Sequence, residues 1–529
     1  MLSVTLCSKC LHNPVKWLKT VVLLIPFSLL LSVNAYGQSD VSLSPEPDIL
    51  FPRAFGIAVN QVGYMEGGSL GEDGGPWRAG IRRDMDVRDY RPMAEVGREV
   101  GIRFMNLFAL AEMDRLNIVA TLPHARPEGH AFDNSARIKP EQIEIMKYVH
   151  DQAAFIELGV TGVGHEWWVD GERTRSEWYN LDHKEPRPEA MMRRHMDVIR
   201  NILGQYGLSS ENGHSFPQSM SALGYYWNPD GPYSAGSIFS EYGVRYVNTK
   251  FSIIPELNPP PEKSGGFDQG VLVLDRSAYG NLWHTYDDPP HEPAGNYETD
   301  LIESHWANWL AQDDFLQPAV NQRWIDYFRT IQAYPYRYLA KNSEQLYSQW
   351  LYKEYTDVTL TAPGKVRIDN RSMPDITYEK GSLGNMVLSV PLSDGKHVSA
   401  VTINGKPVAA CFEEAGYGFI YLPSLQQQIY EVEWQIGDTP VTGTINNSGT
   451  YNVYDVQPTD AGYLFTIRMY GTQDVRFRVE EGFEAVTDHD GFTIHESSYD
   501  RGNRELVISL QGRDVQGETG VIELRKQTR

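Results

Sequence analysis

Residues 89–108 read DYRPMAEVGREVGIRFMNLF, and this stretch predicts a helix that leads directly into a strand. Asp89 to Val100 spaces its apolar residues along one helical face, and Ile102 to Phe108 then forms a short, largely apolar run. Another apolar run, Phe55 to Val59, precedes the helix. Strand, helix and strand in this order are typical of parallel strands joined by a crossover helix.

The same unit recurs further along the chain. Pro140 stands where a second helix would begin, and the apolar run from Phe155 to Leu158 follows that helix. Pro188 opens a third helical pattern, whose apolar stripe continues to Leu203. We therefore assign residues 53–355 to an α/β domain built on a mainly parallel sheet or barrel.

The pattern changes after residue 355, because apolar and polar residues now alternate and turn residues separate the segments. Met386 to Val390 is one such strand pattern, and Asn404-Gly405 is typical of a two-residue hairpin turn. Two blocks of this kind, 356–437 and 450–529, flank a polar stretch rich in Gly and Thr. Each block predicts a small β-sandwich-like domain that serves packing or carbohydrate binding.

The amino-terminal residues predict the compartment. Three lysines precede an apolar run from Val21 to Val33, which ends at Val33-Asn34-Ala35. This layout is typical of a secretory signal peptide, here residues 1–35, while a single membrane anchor is the competing interpretation. We expect the mature protein to be secreted or periplasmic, without membrane attachment once the peptide is cleaved.

The charge composition of the chain limits the kinds of partner that it can bind. The 529 residues include 69 acidic and 47 basic side chains, so the formal net charge is −22. Binding to nucleic-acid phosphates requires clustered Lys and Arg, and this balance argues against nucleic acid as a partner.

Three polar clusters mark the α/β domain. GVGHEWW, residues 162–168, comes just after the strand predicted near Leu158, and DLIESHWAN, residues 300–308, arises from a strand-like run. NGHSFP, residues 212–217, lies in a predicted loop. In a βα barrel the carboxyl ends of the strands present the catalytic side chains, so these clusters are candidate sites. A solvated loop histidine is the competing explanation for each.

The order and spacing of these motifs resemble the polysaccharide deacetylase superfamily over residues 55–335. The segments that carry the resemblance are 155–165 with Arg175, the 188–203 helix, and Ser304 to Asn308. The resemblance implies a distorted (β/α)7-type barrel, which the two β-sandwich-like domains would follow. It also implies a zinc ion held by one aspartate and by two histidines spaced i, i+4.

This chain departs from the family at the implied zinc ligands. Asn60 and Gln61 stand where the family has two aspartates, and Thr161 stands four residues before His165 in place of the first histidine. Amides and a hydroxyl are poor substitutes for carboxylate and imidazole ligands. We therefore predict no metal and no cofactor. The alternative left open is a divalent metal such as zinc on a rearranged set of ligands: His165, His214 and His305.

Without a metal, glycoside hydrolysis requires two carboxyl groups beside the scissile bond. We predict Glu166 and Glu303 as this pair, with Asp268 as a further candidate and His305 as an additional catalytic residue. The competing explanation is that both glutamates only pair with arginines such as Arg173, Arg175 or Arg245. The predicted substrate-binding residues supply amides, imidazoles and flat rings. They are Asn60, Gln61, His165, Trp167, His214, Trp283 and Asn308.

The leading hypothesis is therefore an exported glycoside hydrolase, independent of metal, that acts on a polysaccharide or oligosaccharide. One alternative is a polysaccharide deacetylase with a rearranged metal site. Another is a non-catalytic protein that binds glycans. The Asn60-Gln61 pair argues against the deacetylase, whereas nothing in the sequence separates the hydrolase from the binding protein.

Overall fold

The computed structural model describes residues 49–63, 79–81, 83–122, 134–135, 138–164, 166–169, 172–227, 233–258, 264–278, 285–332, 334 and 336–527, without the side chains of 166–169, 172–175 and 278. The predicted signal peptide, residues 1–35, lies outside this range. Among the helices described, none is long and apolar enough to cross a membrane.

Strands and helices alternate between Arg53 and Tyr355. The strands are β1 (Arg53–Val62), β2 (Phe104–Ala109), β3 (Ile156–Gly162), β4 (Glu166–Val169), β5 (Glu172–Arg175), β6 (Tyr179–Asn180), β7 (Glu185–Pro186), β8 (Ser219–Ser221), β9 (Tyr246–Thr249), β10 (Gly265–Asp268), β11 (Val271–Asp275), β12 (Ser277–Ala278), β13 (Leu301–His305) and β14 (Arg337–Leu339). The helices are α1 (Val87–Val100), α2 (Glu141–Asp151), α3 (Glu189–Gly204), α4 (Ala235–Tyr242), α5 (Gln317–Gln332) and α6 (Ser343–Tyr355).

The predicted helices form where their start and stop signals lie. Asp86 caps α1 and accepts the N–H of Arg88, and the helix ends at Gly101, whose φ of 68° suits a glycine. Helices α2 and α3 begin directly after Pro140 and Pro188, as expected from the fixed φ of proline. These boundaries confirm the helices predicted from the sequence.

The central sheet is mainly parallel, as predicted. Its strands follow the order β10-β11-β9-β8-β3-β2-β1-β13-β12, with β14 beside the first residues of β1. Neighbours are parallel except β10 and β11. The eight parallel strands from β11 to β12 curl into a half-barrel. The described strand pairs do not establish the complete barrel that the resemblance implies.

The two faces of the sheet bury different residues because side chains alternate along each strand. Ile57 and Val59 belong to one apolar core, together with residues of helices α1 to α5. Ala58 of β1, with Met105 and Leu107 of β2, belongs to a second core that α6 and the C-terminal strands complete. We call the side that carries Ala58 the inner face of the sheet. Toward the carboxyl ends of the strands this inner face changes from apolar to polar.

The chain beyond residue 356 is built mainly of strands, as predicted. The strands are β15 (Asp357–Ala362), β16 (Lys365–Asp369), β17 (Met386–Pro391), β18 (His397–Ile403), β19 (Lys406–Pro407), β20 (Ala410–Glu414), β21 (Tyr417–Leu422), β22 (Ile429–Gly437), β23 (Thr444–Asn446), β24 (Asn452–Pro458), β25 (Gly462–Met469), β26 (Thr472–Arg478), β27 (Phe483–Val486), β28 (Phe492–Asp500), β29 (Glu505–Gly512) and β30 (Glu518–Lys526). A short helix, α7 (Asp375–Glu379), lies between β16 and β17.

One sheet runs through both predicted C-terminal blocks. Its order is β17-β21-β20-β23-β26-β29-β28, and sheets of five and four strands accompany it. Strand β23 lies inside the polar stretch between residues 437 and 450, where it pairs with β20 on one side and with β26 on the other. This stretch therefore joins the two blocks through hydrogen bonds as well as separating them along the chain. The domain boundaries at 437 and 450 stay a prediction.

The C-terminal strands pack against the amino ends of the central strands. Arg103, just before β2, donates to the carbonyl oxygens of Ala153 (2.8 Å) and Val515 (2.9 Å). Its guanidinium also forms an ion pair of 3.0 Å with Glu157 of β3. These buried polar contacts attach the C-terminal strands to the amino-end edge of the sheet.

Candidate functional site

Polar side chains gather on the inner face at the carboxyl ends of several strands. In the parallel register of β1 and β13, Ala58 pairs with Glu303 and Asn60 pairs with His305. Because Ala58 faces inward, alternation places Asn60, Glu303 and His305 on the same side of the sheet. Arg276 reaches this group from the junction of β11 and β12. Two separately predicted clusters, at Asn60 and at Glu303, are thus brought together.

Glu303 lies at the centre of this group. Its Oε1 accepts a hydrogen bond of 2.7 Å from Asn60 Nδ2 and lies 3.1 Å from a guanidinium nitrogen of Arg276. His305 Nε2 is 3.7 Å from the same oxygen. The hydrogen bond from the described residues falls on Oε1, and none reaches Oε2. One oxygen of the carboxylate is therefore held while the other is available.

The surroundings of Glu303 favour its charged form. Burial is the largest single effect and opposes ionisation, but the charges of Arg276 and His305, the hydrogen bond from Asn60 and the charge of Lys250 outweigh it. Together they lower the pKa of Glu303 below its ordinary value of 4.5. At neutral pH Glu303 is therefore a carboxylate anion, and only 14% of its side chain is exposed.

Arg276 is the residue of this group that the sequence analysis missed. It is the one residue between β11 and β12, and its side chain is buried. One guanidinium nitrogen donates to Asn248 Oδ1 at 2.7 Å and to the hydroxyl of Ser221. The available signal was an arginine two residues after the apolar run Val271 to Leu274. Glu303 pairs with this arginine and not with Arg245.

Asn60 lies where the pairing of β1 with β2 becomes irregular. The register of β1 against β2 shifts between Val59 and Val62, which is typical of a β-bulge that redirects a side chain. Gln61, in the bulge, has a left-handed backbone with φ of 57°. Asn60 is 4% exposed, and its Oδ1 has no hydrogen-bond partner among the described residues. A buried acceptor therefore lies beside the Glu303 carboxylate.

His305 is held by the turn that follows β13. Its backbone N–H donates to Asn308 Oδ1 at 2.7 Å, and it caps the short helix Trp306–Trp309. Asn308 Nδ2 donates to the Thr285 carbonyl oxygen at 2.9 Å. Asn308, predicted to bind substrate, uses its amide in this way to shape the turn that carries His305.

Asp268 lies away from Glu303. It pairs with Val271 at the start of β11, the opposite end of that strand from Arg276. The Tyr225 hydroxyl donates to its carboxylate at 2.5 Å, and burial raises its pKa despite hydrogen bonds from Tyr225, Ser234 and the Gly236 N–H. The structure therefore places Asp268 at the first turn of α4, whose cap is Ser234.

His214 also lies at the amino-end edge of the sheet, in the segment before β8. It is buried, and its Nδ1 accepts the Val515 N–H at 3.4 Å and lies 3.8 Å from Asp514. His214 and His305 thus stand at opposite ends of the strands and cannot share one metal ion. Thr161, at the position of a family histidine, donates its hydroxyl to the Leu107 carbonyl oxygen.

The residues described do not fit the zinc centre that the resemblance implies. Asn60 turns its amide nitrogen, which is no metal ligand, toward Glu303. Within the described part of the chain, no three His, Cys, Asp or Glu side chains converge on a point where a metal could bind.

Four predicted site residues cannot be placed by their side chains. His165 and Trp283 lie outside the described residues. Glu166 and Trp167 belong to β4, whose backbone pairs with β5, but their side chains lie outside the description. The predicted catalytic role of Glu166 and the predicted substrate-binding roles of the other three residues stay predictions.

A buried pair near the end of β3 was not predicted either. The Glu177 carboxylate accepts the Val163 N–H with both oxygens at 3.1 Å, and it contacts His195 Nδ1 on α3. Gly162 leaves room for this carboxylate, because a Cβ there would lie 2.1 Å from Glu177 Oε2. The pair fixes the chain after β3 against α3.

No protein-family model matches this chain. A search of curated proteins likewise finds no match. The resemblance to polysaccharide deacetylases therefore stays a prediction, and any inference about function depends on the residues of the site.

Proposed function

We propose that this protein is a carbohydrate-active hydrolase, specifically a glycoside hydrolase that uses Glu303 as its ionised carboxylate. The observation that supports this most is the Glu303 carboxylate itself, half held at the carboxyl end of β13 by Asn60 and Arg276. A buried anion with one available oxygen is the group that glycoside hydrolysis requires on one side of the scissile bond.

We also propose that the half-barrel closes into a distorted (β/α)7-type barrel. Support comes from the segment 271–278, in which β11 pairs with β9 and β12 pairs with β13. Only Arg276 separates the two pairings, so one stretch of chain borders both ends of the sheet. Counting that stretch once leaves seven parallel strands, and Glu303 would lie at the mouth of the barrel.

Glu303 suits either of two roles. As a nucleophile, its Oε2 would bond to the anomeric carbon while the glycosidic C–O bond breaks, and the leaving oxygen would take a proton from an acid. Water would then displace Glu303 and return a proton to that acid. As a base, Oε2 would instead take a proton from the water that attacks the carbon. Glu166 is the other carboxyl group of the pair that the sequence predicts, and it is the candidate for this acid.

The proposed substrate is a glycan with free hydroxyl groups. The buried Oδ1 of Asn60 is an acceptor without a partner among the described residues, and a sugar hydroxyl would supply the missing donor. A net charge of −22 favours a neutral or cationic polysaccharide or oligosaccharide over a polyanion.

Mass spectrometry of a broad glycan panel after incubation with the purified protein tests the proposal. We expect shortened glycans that have gained one water per cleavage, and we expect the Glu303→Gln variant to produce none. Glu256→Gln is the matched control, because Glu256 is exposed and contacts only Lys184 among the described residues. Loss of acetyl groups without cleavage would indicate the deacetylase instead. Glycans bound but unchanged would indicate the binding protein.

A further inference from the structure

Arg276 connects Glu303 to two other strands. Its guanidinium contacts Ser221 at the end of β8, Asn248 on β9 and Glu303 on β13. It occupies the gap between β11 and β12, so its own backbone is fixed by strand pairing on both sides. A side chain tied to three strands in this way has little freedom to move.

We propose that Arg276 is the positioning residue of the site: it fixes Glu303 as an anion and orients it so that Oε2 is the reacting oxygen. This inference rests on the proposed function, in which Glu303 is the catalytic carboxylate. Arg276 itself need not touch the substrate.

A second buried Arg–Glu pair in the same sheet shows what a purely structural arrangement looks like. At the amino ends, Glu157 accepts from Ser219 with Oε1, and from Ser343 and Arg103 with Oε2. Both of its oxygens are engaged. At Glu303 the hydrogen bond from Asn60 and the closest approaches of Arg276 and His305 all fall on Oε1, although the pairing arginine is similar. The two pairs therefore differ in one respect: Glu303 has an available carboxylate oxygen, and Glu157 has none.

Several groups set the charge state of Glu303, and they come from different elements. Arg276 faces it from the β11–β12 junction, His305 from β13 and Lys250 from the end of β9, while Asn60 of β1 is neutral. His305 carries a charge only when protonated, and Lys250 makes no direct contact with Glu303 among the described residues. Arg276 is therefore the permanent positive charge in contact with the carboxylate.

Two variants separate charge from geometry. Arg276→Gln removes the charge, and Arg276→Lys keeps the charge but loses the planar fork that also reaches Asn248. The first readout is the pKa of Glu303. It is measured by NMR during a pH titration of protein labelled with carbon-13 at the glutamate carboxyls. The Glu303 signal is identified by its loss in Glu303→Gln. The second readout is the pH profile of kcat/KM on a glycan that the wild type cleaves.

We expect Arg276→Gln to raise the pKa of Glu303 by roughly one to three pH units, because an ion partner in contact shifts a carboxyl by that amount. The acidic limb of kcat/KM should move to higher pH by the same interval. Arg276→Lys should keep the limb near its wild-type position while kcat falls roughly tenfold, since one misplaced contact costs at least that much. If Arg276→Gln does not fold, Arg276→Lys still tests the proposal, because its kcat should fall while the acidic limb of kcat/KM keeps its position.

Arg53→Met is the matched control. Arg53 pairs with Asp300 at the amino ends of the same two strands, β1 and β13, and Arg337 still neutralises Asp300 when Arg53 is lost. The Glu303 pKa should not move in this variant. An unchanged Glu303 pKa in Arg276→Gln would overturn the proposal about Arg276, as would a Lys variant with wild-type kcat. A shifted pKa in a protein that cleaves no glycan would support the effect of Arg276 on the charge of Glu303 and would refute the proposed hydrolase.

Discussion

Asn60 and Glu303 stand 243 residues apart, yet the side-chain amide of Asn60 donates a 2.7 Å hydrogen bond to Oε1 of Glu303. The parallel pairing of β1 with β13 brings them together on the inner face of the sheet. The same side chain offers its Oδ1 as a buried acceptor without a partner among the described residues. One amide thus links the proposed catalytic carboxylate to the space where a substrate would bind.

Removal of this amide should weaken turnover without unfolding the protein. We expect Asn60→Ala to lower kcat/KM by roughly 10- to 100-fold, because a hydrogen bond to a charged group contributes about 1.5–3 kcal/mol. Steady-state kinetics on a cleaved glycan would measure the change. Asn296→Ala is the control, since Asn296 is exposed and its side chain contacts only Glu292 among the described residues. Equal kinetics for the two variants would contradict the role given to Asn60.

The charge of Glu303 should also appear in the pH dependence of stability. Its pKa is lower in the folded protein than its ordinary value of 4.5, so its contribution to stability is present above that value and is lost as pH falls through the folded pKa. Glu303→Gln cannot make this contribution at any pH. We therefore expect the difference in unfolding free energy between wild type and variant to be larger at neutral pH than at roughly pH 3. Urea unfolding at both values measures it, and a constant difference would contradict the assignment.

The alternation of strands and helices was predictable from the sequence because it depends on local signals. Pro140 and Pro188 precede α2 and α3, and the apolar runs became β1, β2 and β3. The pairing of β20 with β23 was not predictable, because a three-residue strand inside a polar stretch has too few residues to show a periodic pattern.

The structure places the predicted site residues at two different edges of the sheet, and one physical cause explains why the sequence could not separate them. Glu303 and His305 end a strand and so lie at the carboxyl edge, whereas Asp268 and His214 precede β11 and β8 and so lie near the opposite edge. In the sequence, a polar residue that ends one strand looks the same as a polar residue that precedes the next strand. Only the direction of the strands in space tells them apart, and for Asp268 a hairpin with Gln269 at φ of 47° reverses that direction.

Asp268 should therefore tolerate neutralisation. Burial raises its pKa, so ionised Asp268 costs stability above its ordinary value of 3.8, and this cost falls as pH decreases through the folded pKa. Asp268→Asn keeps an acceptor for the Gly236 N–H and a polar contact for the Tyr225 hydroxyl. We expect glycan turnover to remain within roughly twofold of wild type, because no side chain of the Glu303 group changes. A loss of turnover near that of Glu303→Gln, with the fold intact by circular dichroism, would instead support Asp268 as a catalytic residue.

Gly162 and Gly204 provide a matched test of the packing beside β3. A Cβ at Gly162 would lie 2.1 Å from Glu177 Oε2 and would displace the carboxylate that holds the Val163 N–H, whereas a Cβ at Gly204, in the last turn of α3, meets nothing within 4 Å. We expect Gly162→Ala to lower the free energy of unfolding by about 1–3 kcal/mol, the usual cost of overpacking. Gly204→Ala should instead leave it unchanged or raise it by up to about 1 kcal/mol through helix propensity. Chemical denaturation of both variants decides the matter: equal effects would mean that Glu177 can move away without cost, and that its pairing with His195 does not fix the chain after β3.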